Sequence, residues 1–161
     1  MNNNTRSLFE LLSDPSESNR VAALIALADI KARVSLTPIH AALNDPDKNV
    51  KAAAAFALSK IGNRKSLEYL LSAWKATSFQ DIHLRRQLMV AIGEIGEGAA
   101  LVKLLDSFAE WDYTLQELMI GFLSEKGEQN GSIILRQLLK QKLEPQIIAI
   151  INKALQKIGS R

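Results

Sequence analysis

His40 and His83 are the only histidines of this 161-residue chain, and it has no cysteine. Disulfides, thiolate metal sites and a cysteine nucleophile are thereby excluded. His40 precedes Ala41 and His83 precedes Leu84. Two isolated imidazoles, with no carboxylate at ligand spacing, do not build a metal site, so both read as ordinary helix residues. Glu94 with Glu97, and Asp106 with Glu110, have the spacing of an acid/base pair. They also have the spacing of a solvated helix face, and no nucleophile or oxyanion feature accompanies them. Residues 92–98, Ile-Gly-Glu-Ile-Gly-Glu-Gly, echo a phosphate loop but close a helix instead of following a strand. The expectation is a chain without catalytic, metal-binding or cofactor-binding residues, and not an enzyme.

Residues suited to binding are more numerous. Arg20, Lys51 and Arg85 lie 31 and 34 residues apart, with Lys48 and Arg86 beside them. Stacked in a row, they could hold an acidic surface or a phosphate backbone. Paired with Asp14, Asp45 and Asp81, they would instead brace the turns. The row stops at Gln116 and Ile148. Trp111 and Tyr113, with Glu110 and Glu117 close by, are amphipathic aromatics of the kind that anchor a protein partner or pack against a neighbouring turn. Met89 and Ile120 share a repeat position with Ala55. With Arg85 and Gln116 they suggest a groove, apolar along its axis and charged at its rim. The candidate partner-binding residues are Arg20, Lys48, Lys51, Arg85, Arg86, Met89, Trp111, Tyr113, Gln116, Glu117 and Ile120.

The elements that must position these residues repeat. Asp14-Pro15 precedes Asp45-Pro46 by 31 residues, and Gly62, Gly96, Gly127 and Gly159 follow one another at 34, 31 and 32. A period in this range signals stacked supersecondary units. Each unit reads as two helices. The first helices are expected near 5–13, 36–44, 64–76, 98–110 and 131–141, and the second near 15–31, 46–61, 81–95, 113–126 and 145–158. Asp14 and Asp45 are placed as N-caps with Pro15 and Pro46 at the first helical position, and Thr37-Pro38 repeats that logic. Asp14 and Glu17 have capping-box spacing. The four repeated glycines fit left-handed positions after helices, and Asn130-Gly131 marks a turn. At 100° per residue Val50, Ala53, Ala54, Ala57, Leu58 and Ile61 form one buried stripe of the second unit, opposite Lys48, Ala52, Ala55 and Ser59.

The string Asp-Pro-x-x-x-Val-Lys/Arg-x-x-Ala-x-x-Ala-Leu-x-x-Ile-Gly, complete at residues 45–62, resembles HEAT-like repeats, above all those named after phycobilisome (bilin) lyases. Residues 14–30 match with Asn19 in place of Val and Lys31 in place of Gly. Residues 81–96 keep Leu84-Arg85 and Ile95-Gly96, and the units ending at Gly127 and Gly159 keep the period. The resemblance implies an all-α, right-handed α-solenoid of about five two-helix HEAT-like repeats. They form a single domain over 1–161, with units near 5–31, 35–62, 63–96, 98–127 and 130–161. It also implies that the second helices line a concave surface where another protein binds.

Composition supports an interaction role. Hydrophobic residues make up 47% and aromatics only 6%, which is low for a stacking nucleic-acid surface, and no apolar run is long enough to span a bilayer. The net charge of +3 is too small to argue for DNA by itself. Residues 98–127 carry two Lys/Arg against five Asp/Glu, and such an acidic fourth unit opposes nucleic acid. A cytoplasmic, non-catalytic protein–protein interaction scaffold or adaptor without cofactors is the leading expectation. A bilin lyase subunit or chromophore-protein-handling factor is the first alternative, and a HEAT-like nucleic-acid-binding protein the second.

Overall fold

Alanine and leucine at helical spacing, interrupted by Pro, Gly and Asp, fold as helices throughout. The computed structural model describes residues 3–30, 35–105, 108–126 and 128–160, and among them there is no strand. In chain order the helices are α1 (Asn3–Leu11), α2 (Glu17–Asp29), α3 (Thr37–Ala42), α4 (Lys48–Ile61), α5 (Ser66–Ala76), α6 (Ile82–Val102), α7 (Tyr113–Lys126), α8 (Glu128–Leu138) and α9 (Pro145–Gly159). A 3-10 turn spans Phe108–Glu110. Of the features expected from sequence, Lys31, Asp106, Gly127 and the Glu97 side chain lie outside the described residues.

The chain divides into two compact units, Met1–Ile95 and Gly96–Arg161. In the first, α2 packs on α1 and α4, and α3 packs on α4. Leu24, Leu27, Ile39, Leu58, Leu70 and Leu88 are fully buried there. In the second, α7, α8 and α9 pack on one another around Leu115, Met119, Leu123, Leu135 and Ile151. Each such side chain contributes about 1.5–3 kcal/mol by leaving water.

α4 is buried more widely than its expected stripe. Ala52 and Ala55 are buried along with Val50, Ala53, Ala54, Ala57 and Leu58. A helix flanked by neighbours on several sides has little free face, and alanine is small enough to sit against any of them.

The Asp-Pro turns act one step earlier than expected. Asp14 and Asp45 carboxylates accept the main-chain N–H of Ser16 and Asp47 at 2.8 and 2.9 Å, closing a local turn ahead of each helix. The N-cap of α4 is Asp47, which accepts from Asn49 and Val50 N–H at 2.7 and 3.3 Å. The N-cap of α2 is Ser16, without a side-chain cap bond, so the expected box of Asp14 and Glu17 is not formed.

The glycines also depart from expectation. Gly62 ends α4 in extended backbone (φ −66°, ψ 167°), not in the left-handed region. Gly96 lies inside α6, which runs on to Val102, so no separate first helix occupies 98–110. Glycine in a helix costs only about 1 kcal/mol, and the apolar spacing of Ile92, Ala100 and Leu101 outweighs it. Asn130-Gly131 is helical as well, within α8. What Gly62 and Gly131 share is crowding. A Cβ on Gly131 would overlap the Leu123 carbonyl of α7, and one on Gly62 would overlap the Leu58 carbonyl and stand 2.7 Å from Ile95 Cδ1.

Gly62→Ala is therefore expected to lower unfolding free energy by about 1–3 kcal/mol in chemical denaturation. Gly121→Ala, mid-helix in α7 with nothing within 4 Å of the added methyl, should raise it by up to about 1 kcal/mol.

Candidate functional site

At the repeat position of Arg20, Lys51, Arg85 and Gln116, three side chains turn back to the loop before their own helix. Arg20 Nη1 donates to the Asp14 and Pro15 carbonyls at 2.8 and 3.2 Å. Its Nε and Nη2 reach the Asp45 carboxylate at 2.8 and 3.0 Å. Arg85 donates to the Ser78 and Thr77 carbonyls at 3.0 and 2.8 Å. Gln116 Nε2 donates to the Phe108 carbonyl at 2.8 Å. Turn carbonyls shielded from water need a donor, and these side chains supply it.

Arg85 has no carboxylate partner among the described residues. It lies between the rings of Trp74 and Phe79, 4.4 and 4.1 Å from their centroids, is 4% exposed, and leaves Nη1 without a hydrogen bond. Burial lowers its proton affinity, and the two ring faces and two carbonyls offset part of that cost.

Of the two roles open to Arg20 and Arg85 from sequence, these bonds favour bracing over a binding row, and Gln116, expected at the rim of a groove, holds a turn as well. Met89 and Ile120, 0% and 1% exposed, are core residues and line no open groove. Leu24 and Ala55 at the same repeat position are buried too, so that position faces inward in the first four units. Trp111 is 5% exposed and packs against Phe108 at 5.3 Å between ring centroids. The following Asp112 carboxylate accepts the Thr114 N–H at 2.8 Å at the start of α7. Lys48 is exposed, with Nζ 3.7 Å from the Asp81 carboxylate. Arg86 is exposed and Lys51 half-buried in the first unit, and Tyr113 and Glu117 are exposed in the second.

The open surface of the first unit lies elsewhere on the second helices. A groove of about 360 Å³ is lined by Val21 and Ile25 from α2, Asn49, Ala52, Ala53 and Phe56 from α4, and His83 and Gln87 from α6. Ile25 is 42% exposed. By repeat register these are positions Ser18/Asn49/His83, Val21/Ala52/Arg86, Ala22/Ala53/Gln87 and Ile25/Phe56/Val90, one stripe at i, i+3, i+4, i+7. Sequence reasoning missed it because its α4 members are alanines that read equally well as core. Half-exposed Phe56, with Lys60 Nζ 5.6 Å from its ring, was the available signal. At the start of α2 and α4, a hydrogen bond between the exposed Glu17 and half-buried Asp47 carboxyls raises Glu17 and lowers Asp47 from their ordinary pKa values.

The two histidines differ. His83 is exposed in the groove. His40 stacks on Tyr69 at 4.1 Å and pairs through Nε2 with Ser66 Oγ at 2.9 Å, joining α3 to α5. Among the described residues no three His, Asp or Glu side chains converge as a metal site would require, and no helix is long and apolar enough to cross a membrane.

Comparison with known proteins agrees with this architecture. Residues 5–82 match the family model of HEAT repeats. A solved structure, the complex of CpcE and CpcF of phycocyanin lyase from Nostoc sp. PCC7120, contains a chain that superposes with a TM-score of 0.71 at 19% sequence identity. The match covers 98% of this chain and 65% of that one, so this chain spans under two thirds of its length. It shows the all-α HEAT-like fold. A search of curated proteins finds no match.

Two measurements check the bracing and the histidine. Arg85→Lys retains the charge but loses the planar stack and the fork to two carbonyls, so it should cost about 1–3 kcal/mol in denaturant unfolding, while Arg86→Lys stays within about 0.5. Burial lowers the His40 pKa from its ordinary 6.5, so the unfolded chain binds the proton more readily. Stability should then fall as pH drops through about 6.5 toward the lower folded value, and His40→Gln should flatten that slope in melts taken between pH 5 and 8.

Proposed function

We propose that the chain is a non-catalytic protein–protein interaction module whose binding face is the exposed side of the second helices. On this reading α2, α4 and α6 of the first unit present the concave partner surface expected of HEAT-like repeats. The groove lined by Val21, Ile25, Ala52, Ala53, Phe56, His83 and Gln87 carries the proposal. It is open, mostly apolar and of a size at the lower end of ligand sites, and no nucleophile, base and orienting group assemble around it. Lys48, Lys51 and Arg86 lie on the same three-helix region and would set encounter rate and orientation more than affinity. Tyr113 and Glu117 are offered as contacts on the second unit.

A chromophore-handling role is the second reading. The likeness to a phycocyanin lyase chain and the apolar groove favour it. Titration with a linear tetrapyrrole distinguishes the two, because a bound pigment shifts its visible absorbance.

The interaction reading is tested by placing a photo-crosslinking amino acid at Gln87 or, as control, at Arg136 on exposed α8. In the native cell the Gln87 position should yield a discrete protein adduct that the Arg136 position lacks. An absence of any protein adduct from Gln87, Ile25 and Lys51 positions would overturn the proposal.

A further inference from the structure

Resting on that interaction reading, the groove's chemistry goes on to specify the form of the partner. None of its eight lining residues carries a carboxylate, lysine or arginine, in a chain with 23% charged residues. A charged side chain placed there would lose water without meeting a counter-ion from the lining itself. The groove also has unlike sides. α2 contributes only the aliphatic Val21 and Ile25, and α4 contributes small Ala52 and Ala53 with Phe56. α6 contributes His83 and Gln87, two polar side chains with no hydrogen-bond partner among the described residues. Asn49 lies at the start of α4, beside the Glu17 carboxyl whose proton affinity it lowers.

His83 and Gln87 are four residues apart on one helix, so their bases are separated by about 6 Å along its axis. In an extended chain, residues two apart are separated by about 6.6–6.8 Å. The amide of Gln87 offers both donor and acceptor, and the imidazole of His83 offers a donor on one nitrogen. The two side chains are thus spaced to meet main-chain groups of an extended segment at every second residue. Side chains of such a segment alternate, so those between its backbone and α2 also recur every second residue.

We infer that the groove binds an extended, uncharged segment of a partner protein. Its main chain lies along His83 and Gln87, and two apolar side chains, spaced i and i+2, enter among Val21, Ile25, Ala52, Ala53 and Phe56. A helical partner segment fits less well, because its amides are satisfied internally and leave His83 and Gln87 unanswered.

The test is selection of displayed random peptides on the full chain, followed by fluorescence anisotropy of the enriched peptides. Enriched sequences should carry apolar residues at i and i+2 in an uncharged core. Their affinity should change less than twofold between 50 and 500 mM salt. Ile25→Asp, at an exposed position that tolerates it, should weaken binding at least tenfold, as should N-methylation of the peptide bond facing Gln87. Arg136→Glu should leave binding unchanged. Peptides with charged cores, or peptides insensitive both to Ile25→Asp and to N-methylation, would overturn the inference while leaving the interaction reading standing. A lack of any enriched peptide would overturn it too; the cross-linking result at Gln87 then decides the broader reading separately. A tetrapyrrole that binds the groove and displaces no selected peptide would assign the site to a small molecule instead.

Discussion

Everything in the first unit depends on how each second helix is tied to the turn before it. A two-helix unit leaves main-chain carbonyls in that turn without a helical donor, and four of the five are at least partly shielded from water. Arg20 answers two of them and reaches across to Asp45, so one guanidinium joins consecutive turns. Arg85 does the same with two carbonyls, but with aromatic rings where the carboxylate would be. Gln116 does it with one bond and no charge. The repeat position is therefore conserved in task and not in residue type. A planar group with spaced N–H donors is the shared physical requirement. Lys51 lacks that plane and its turn is held differently. Its unit relies on Asp45 and Asp47, whose carboxylates accept three main-chain N–H groups between them.

Once the turns fix each second helix in rotation, its faces are assigned. Ala55, Met89 and Ile120 go inward, while Asn49, Phe56, His83 and Gln87 stay accessible. The groove is thus a consequence of the bracing. A side chain that anchors its helix to a turn cannot also be offered to a partner, which is why Arg20 and Arg85 drop out of the candidate surface while neighbouring Arg86 stays exposed.

The period, helix types and most second helices were legible in the sequence, because Asp-Pro and Ile-Gly punctuation coincides with changes in apolar spacing. Glycine misled in two ways. Gly96 stands within a helix because the flanking Ile and Ala pattern does not stop there. Gly62 is required by the nearby Leu58 carbonyl and Ile95, not by a left-handed backbone. Neither cause is local in sequence. The binding surface was less legible. Periodicity separates apolar from polar faces, but α4 is rich in alanine and shows almost no contrast around its circumference, so Ala52 could not be told from Ala55. Trp111 was open between two roles, partner anchor or packing against a turn, and Phe108 three residues earlier gives it a buried neighbour that favours packing.

Specificity in a repeat fold resides where the units differ on an accessible face. At the register of Val21 and Ala52 the chain continues with Arg86 and Glu117, so one position passes from apolar to cationic to anionic. At the register of Ala22 and Ala53 it continues with Gln87. At these two registers the apolar members come from the first two repeats, and the polar ones begin with the third. A groove built across that change has an aliphatic side and a hydrogen-bonding side, a property no single repeat possesses. An apolar surface alone would accept many hydrophobic segments with little preference. The polar side adds a condition, since a ligand that enters without satisfying His83 and Gln87 leaves polar groups partly desolvated and unpaired. Discrimination then comes mainly from the penalty on wrong occupants. That penalty requires His83 and Gln87 to be held at a fixed height over the groove, and the Arg85 tie between them in sequence is what sets the height.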